Sequence, residues 1–238
     1  MCGPMNIIVT GASRGIGFEV VKKLVQAGDH QVIVMSRNIA RLNQLKAECL
    51  QLDHDAKVIT HKLDLRDLHY EQSLVPMLTK SVGKVDILIN NAGYLLNKPF
   101  IEFTPDEFDE VFDVNVKSAV RLIQVLYPYF STNAHIVNIG SMGGFQGSMK
   151  FPGLSLYSAS KAALAVLSEC LAEEFKDTGI KVNCLALGAA QTEMLKEAFP
   201  DYQPPLTAIQ MAEFVSDFAL KGHIHFNGKI LPVALSVP

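Results

Sequence analysis

The stretch Asn6-Ile-Ile-Val-Thr10-Gly-Ala-Ser-Arg-Gly15-Ile-Gly17 decides the fold. Asn6–Thr10 is a short, β-rich apolar run that passes directly into three glycines and then into a helical pattern over Ile16–Ala27. Glycine lets the backbone turn sharply and approach a bound group closely. A helix starting there offers free N–H groups and the positive end of its dipole, which together suit a pyrophosphate. The spacing is G-x-x-x-G-x-G, not the usual G-x-G-x-x-G. A glycine cluster alone also fits a tight structural turn. Its place between a first strand and a first helix points to phosphate binding by Gly11, Ser13, Arg14, Gly15, Ile16 and Gly17.

Working outward, further apolar runs lie at Gln31–Ser36, Lys57–Leu63, Val85–Asn90, His135–Gly140 and Lys181–Leu187, with a last one near Lys229–Leu235. Several are nearly continuous Val, Ile and Leu, as in strands covered on both faces of a parallel sheet. Helical patterns fill the gaps at Ile39–Gln51, Asp67–Val82, Asp106–Phe130 and Ser158–Thr178. Alternating β and α in this order predicts a single α/β domain over residues 1–238, a doubly wound parallel sheet with helices on both faces. No linker or repeat divides it. Residues 1–5 read as a frayed leader.

The composition fits such a domain: 238 residues, 49% hydrophobic and 19% charged, with a formal charge of −3. That balance gives no reason to expect nucleic acid or an acidic membrane as a partner. No apolar stretch is long enough for a membrane span, and no signal peptide is visible. Cys2, Cys49, Cys170 and Cys184 show no metal-ligand spacing, so no metal is expected. Buried reduced thiols in a cytoplasmic protein are the plain reading.

An NAD site would place a carboxylate at the end of the second strand, to hold the ribose hydroxyls. Here that strand ends in Ser36-Arg37-Asn38. Arg37, with Arg14 from the glycine loop, suits a 2′-phosphate through forked hydrogen bonds, which points to NADP(H). Arg37 as a plain solvated arginine is the alternative.

Tyr157 and Lys161 stand four positions apart on a helical pattern, hence one turn apart on one face. A nearby ammonium favours tyrosinate and should lower the phenol's ordinary value near ~10, fitting it for acid/base work. A Tyr-x-x-x-Lys alone is common. Ser141 ends a strand at the carboxyl edge, where sites in open α/β sheets form, and its hydroxyl could hold a carbonyl; a simple strand-end cap is the other reading. Asn115 lies inside a long helical pattern, where Asn is a poor fit. A structural partner, a proton path and a local helix distortion would all leave that trace.

Together these residues closely resemble the short-chain dehydrogenase/reductase family, from about Asn6 to about Leu235. The elements come in family order: Thr10-Gly-Ala-Ser-Arg-Gly-Ile-Gly17, Asp64-Leu65, Asn90-Asn-Ala-Gly93, Asn115, Ser141 and Tyr157-x-x-x-Lys161. The resemblance implies roles. Asp64 and Leu65 would contact the adenine region, with Ser36 and Arg37 beside it. Asn91, Ala92 and Gly93 would support the cofactor, and Gly188 and Thr192 would meet the nicotinamide. Tyr157 would protonate the nascent alkoxide, and Lys161 would tune Tyr157 and hold the nicotinamide ribose. Ser141 would orient the carbonyl, and Asn115 would hold a water linking Lys161 to solvent. A carbonyl or alcohol would be the substrate. Members similar to 3-oxoacyl-carrier-protein reductases make an acyl thioester one candidate, although no basic rim for a carrier is evident.

Three departures stand out. Leu187 replaces an expected proline. Ser141 and Tyr157 are sixteen positions apart, more than usual for the family, which should reshape the substrate pocket around Gly144–Gly153. The C-terminus lacks the common acidic, glycine-rich ending. Thr192–Leu206 is expected to be a mobile substrate cover, with Met194, Leu195, Phe199 and Tyr202 either lining an apolar pocket or simply packing on the domain. The helix Ser158–Thr178 carries more apolar surface than one sheet face needs, and the resemblance, in which this helix pairs subunits, implies a homodimer or homotetramer of closed symmetry. Two rival functions remain open at this point: an idle cofactor-binding sensor or scaffold, and an NAD-linked alcohol dehydrogenase.

Overall fold

The computed structural model describes residues 3–67 and 69–235. Its main strands are β1 (Asn6–Thr10), β2 (Gln31–Ser36), β3 (Lys57–Lys62), β4 (Val85–Asn90), β5 (Phe130–Ser141), β6 (Lys181–Leu187) and, after the two-residue β7 (Ala190–Gln191) and β8 (Leu206–Thr207), β9 (Ile230–Val233). Seven of them form one parallel sheet in the order β3-β2-β1-β4-β5-β6-β9. A strand alternates its side chains between faces. Ile7 and Val9 therefore enter one core with Val32, Val34 and Ile89, while Ile8 enters the other with Ile33, Leu88 and Ile136.

The first core is closed by α1 (Gly15–Ala27), α2 (Ile39–Leu52) and α8 (Ala208–Lys221), through residues such as Leu24, Leu45 and Val215. The second is closed by α3 (Glu71–Ser81), α5 (Ser118–Leu126) and α6 (Ser155–Glu174), through Leu74, Leu122 and Ala172. The sheet is thus covered on both faces, as its apolar strands require. The order reverses at β1/β4, which places a crevice outside the carboxyl ends of those strands.

Several expectations change in detail. The pattern over Asp106–Phe130 is not one helix. It is α4 (Pro105–Phe112), a π-helical turn (Asp113–Lys117), then α5 and a 3₁₀ turn through Pro128. Phe130 already belongs to β5, which starts before the expected His135. The expected helix from Asp67 begins only at Glu71; residue 68 lies outside the described residues. Met5 is not frayed: its N–H donates to His30 Nδ1 at 3.2 Å and its carbonyl accepts from Gln31 N at 2.9 Å. Met1 and Cys2 lie outside the described residues.

Cys49 and Cys184 are buried, but Cys170 is exposed, contrary to the expectation of buried thiols. It stands two positions from both Ser168 and Ala172, two of the buried residues of α6, hence about 200° round the helix from each. No helix of the described residues is long and apolar enough to cross a membrane. No group of three or more potential metal ligands occurs among them.

Between β6 and α8 the chain leaves the sheet. It forms β7, α7 (Glu193–Ala198) and β8, with β7 and β8 paired in parallel. This excursion roofs the crevice.

Candidate active site

A cleft of about 780 Å³ runs over the carboxyl ends of the strands, from the glycine loop past Ser141 and Tyr157 to the excursion. The glycine loop is built for close approach. Gly11 has φ +66°, and a β-carbon there would lie 2.7 Å from the Ala92 backbone. A β-carbon on Gly17 would collide with Asn91 Nδ2. Thr10 Oγ1 accepts from the N–H groups of Asn91 and Ala92 at 3.1 and 3.0 Å. Asn91 Nδ2 donates back to the carbonyls of Thr10 and Gly11 at 3.0 and 3.2 Å. Two sequence segments about eighty residues apart are thereby locked edge to edge. The side chain of Asn91 serves this clamp, and Thr10, whose part the sequence alone does not reveal, is its other half.

At the start of α1, Arg14 is the cap residue, and no side chain bonds the first N–H groups. No carboxylate occupies the first turn. Free donors, a positive dipole end and a glycine approach are the donor set that a pyrophosphate needs. The residues present therefore fit a dinucleotide.

The cations are placed less simply than the sequence suggests. Arg37 is exposed, lines the cleft, and has no ion pair among the described residues. Arg14 is not free: its Nη1 lies 2.6 Å from Glu197 Oε1 and 3.3 Å from Glu193 Oε2. Arg41, which sequence reasoning passed over, lies 2.8 Å from the same Glu193 oxygen and also lines the cleft. Its signal was an arginine one turn beyond Arg37. The glutamates were invisible as partners because α7 reaches Arg14 only through the fold. Asp64 is held by Arg66 at 2.8 Å, which keeps its carboxyl below the usual range, with Arg37 helping. Ser36 accepts from Asn38 N at 3.1 Å, and Leu65 lines the cleft beside Asp64.

The reacting end lies where β5 meets α6. Ser141 closes β5, and its Oγ accepts from Gly143 N at 3.1 Å, so the strand-end cap is real while the residue still lines the cleft. Tyr157 and Lys161 occupy successive turns of α6, with Lys161 Nζ 5.9 Å from the phenol ring centre. Lys161 is buried, and its Nζ donates to Ile139 O at 2.8 Å. Burial pulls its value down to about 8. The expected lowering of Tyr157 is not found. Burial pushes the phenol up, and only the Ser141 hydroxyl draws it back. Desolvation of the charged form dominates, and the Lys161 ammonium is turned to the Ile139 carbonyl.

Asn115 sits in the π-helical turn, which settles the helix distortion. Its Oδ1 accepts from Tyr94 N at 2.7 Å, and its Nδ2 donates to Tyr94 O and Ser160 Oγ at 2.9 Å each. A β-carbon on Gly93 would stand 3.3 Å from Lys161 Nζ and 3.5 Å from Asn115 Oδ1, so Gly93 is the floor shared by both. Tyr94, another residue not foreseen, lines the cleft from there. Leu187 ends β6 in regular register with Ser141 and Val233, buried where a proline was expected. Gly188 N donates to Val233 O at 2.9 Å. Thr192 caps α7 by accepting from Leu195 N at 3.2 Å and faces Gly15. Met194, Leu195, Phe199 and Tyr202 all line the cleft.

Comparison with known proteins agrees with this geometry. A family profile described as short chain dehydrogenase matches residues 5–203. An uncharacterised oxidoreductase of Staphylococcus epidermidis is 31% identical over 225 residues, covering 92% of each chain. A dehydrogenase/reductase from Sinorhizobium meliloti superposes with a TM-score of 0.84 at 30% identity, over 98% of this chain and 94% of that one. A short chain dehydrogenase from Burkholderia cenocepacia, solved in complex with NADP, gives a TM-score of 0.85 at 27% identity over 96% and 95%. Hydride transfer with a nicotinamide cofactor is general to this group, and the chain is an oxidoreductase belonging to the short-chain dehydrogenase/reductase family.

Proposed function

We propose that this chain is an NADPH-dependent carbonyl reductase in which Tyr157 is the general acid/base. The observation that carries the reading is the convergence of Ser141, Tyr157 and Lys161 on one end of the cleft, with Asn115 behind Gly93 beside Lys161, and with the glycine loop and Arg37 at the other end. NADP(H), when bound, supplies or accepts the hydride. Gly11–Gly17 and the first turn of α1 would hold its pyrophosphate, and Arg37 its 2′-phosphate. The Burkholderia relative's complex supports that choice.

The protein's own part is proton handling and orientation. Ser141 and Tyr157 share the carbonyl oxygen. As the carbonyl carbon gains hydride, the C=O π pair moves onto oxygen, which takes the Tyr157 proton. A phenol held protonated by burial is a ready donor for that step. Lys161, cationic below about 8, stabilises the phenolate left behind. Asn115 fixes the Tyr94 and Ser160 segments of the site floor, the setting for a proton path from Lys161 outward.

Residues 1–238 are read as one domain acting in a reducing, cytoplasmic setting. Self-association would use α6, whose Val166 is exposed. A screen of NADPH oxidation over ketones, aldehydes, diketones and acyl thioesters tests the reading. Tight NADPH binding with no turnover across that panel would favour a sensor instead.

Two outcomes test the cofactor end. Arg37→Ala should weaken NADPH binding by roughly ten- to a hundredfold, the worth of charge-assisted hydrogen bonds, and leave NADH nearly unchanged. Equal losses for both cofactors would remove Arg37 from phosphate recognition. Glu193 and Glu197 compete for Arg14 and Arg41. These pairs are partly exposed and individually weak, so the double change Glu193→Gln/Glu197→Gln should tighten NADPH by roughly threefold. Fluorescence titration of bound NADPH reads both.

A further inference from the structure

The two ends of the cleft differ in charge. Arg14, Arg37, Arg41, Asp64, Glu193 and Glu197 gather at the glycine-loop end, through β1, β2 and the contacts of α7. Glu110 also lines the cleft and shares Arg66 with Asp64, at 3.1 Å. Around Ser141 and Tyr157, Lys161 is the one charged lining residue among the described residues, and it is bonded to Ile139 O. The rest of that chamber is apolar and aromatic. Met142, Phe151 and Leu154 come from the long β5–α6 connection, and Met194, Phe199 and Tyr202 from the excursion.

This chamber is held in shape. Within the long connection, Ser148 Oγ donates to Met142 O and, at 2.9 Å, to Phe145 O. Lys150 Nζ donates to Phe145 O and Ser148 Oγ at 2.7 Å each, so its charge is directed at the loop's own oxygens. Asn97 ties the walls together. Its Nδ2 donates to Ala198 O at 2.9 Å, at the end of α7. Gly153, at φ +84°, lies so close to Asn97 that a side chain there would collide with it. Lys98 N donates to Gly153 O at 3.0 Å, while Lys98 Nζ is taken up by Glu107 at 2.8 Å. Lys98 and Lys150 are thus engaged within the protein.

Resting on the reductase reading above, we infer that this chamber selects a neutral, apolar aromatic ketone to match Phe151, Phe199 and Tyr202, with Phe151 as a specificity-determining wall. A carboxylate or a phosphorylated carrier arm entering it would lose water and meet, among the described lining residues there, only the Lys161 ammonium, already turned to Ile139 O, whereas an apolar ring gains by leaving water. The ketone and NADPH with one proton give the secondary alcohol and NADP⁺.

The test uses acetophenone, its carboxylate congener 4-acetylbenzoate, 2-butanone and an acetoacetyl thioester of pantetheine. NADPH oxidation gives kcat/KM, and perturbation of bound-NADPH fluorescence gives ketone affinity without turnover. Acetophenone should exceed 4-acetylbenzoate and the thioester at least about tenfold, and Phe151→Ala should cut the acetophenone to 2-butanone ratio roughly tenfold. Phe151→Leu should restore part of that ratio, and NADPH affinity serves as the folding control. Preference for the carboxylate or the thioester, or an unchanged ratio in Phe151→Ala, overturns the inference. If no ketone is reduced, the fluorescence separates the two claims. Perturbation by acetophenone and not by its carboxylate keeps the chamber assignment and rejects the chemistry; no perturbation by either rejects the assignment.

Discussion

Tyr157→Phe is expected to cut turnover by roughly a hundredfold or more while NADPH affinity stays within about twofold. The change removes one hydroxyl and keeps the ring, which lies against Lys161 on the face of α6 that meets β5. Its burial favours the neutral phenol, so the wild-type group enters the reaction as an acid with its proton in place. Without it, the alkoxide formed next to Ser141 has a hydroxyl neighbour but no positioned donor backed by an ammonium. Steady-state rates with any accepted ketone, paired with fluorescence titration of NADPH, measure the two quantities separately. Retained turnover would assign the proton to another group, and a parallel loss of cofactor affinity would make Tyr157 a binding residue.

Acid should destabilise the fold through His135, by up to about 3 kcal/mol between neutral pH and pH 4. His135 is buried in β5. Its Nδ1 lies 2.9 Å from Ala219 O, and its Nε2 3.1 Å from Asn183 Nδ2. Asn183 is fixed in that orientation, because its Nδ2 also donates to Phe226 O and its Oδ1 accepts from Lys229 N. Nδ1 must therefore carry the single proton and Nε2 the lone pair. A second proton would face an N–H, in a site that excludes water.

Burial pulls the folded value down to about 4, with His223 adjacent and lowering it slightly. The unfolded value is near ~6.5. Between those limits the unfolded chain binds a proton that the native state refuses. Stability is therefore complete above about 6.5, declines as pH falls, and levels off below about 4. His30, His61 and His223 are also lowered by burial and add to the same slope. The ion-paired Asp64, Glu107 and Glu193 lose their contribution only lower, as pH falls below the ordinary carboxylate range. Urea unfolding at a series of pH values measures the slope. His135→Gln should flatten it by about one proton; an unchanged slope would place the acid sensitivity elsewhere.

Much of this was legible in the sequence where a feature is local. Asn6–Gly17 declared strand, turn and helix within twelve residues, and Tyr157 and Lys161 declared a shared helix face by spacing alone. Asn115 declared itself by being out of place in a helix, though the π-helical turn that accommodates it left no separate trace. Features that depend on distant partners were not legible. Arg14 looked free because Glu193 and Glu197 come to it from far along the chain. The value of Tyr157 was misjudged because the spacing to Lys161 says nothing of where the ammonium points. His135 reads as one more residue in an apolar run until Ala219 and Asn183 are seen on either side.

The widened turn at Asp113–Lys117 also has an evolutionary corollary. Each residue advances an α-helix by about 100°, so one residue absorbed there changes the phase between α4 and α5 by about that angle. Phe108 on α4 can thus face solvent while Leu122 and Leu126 on α5 fill the core. A one-residue deletion within Asp113–Lys117 would straighten the rod and force a choice between the carboxamide of Asn115 and the packing of α5. Loss or gain of single codons should therefore be purged strictly from this segment, as it sets both the buried carboxamide of Asn115 and the phase of α5.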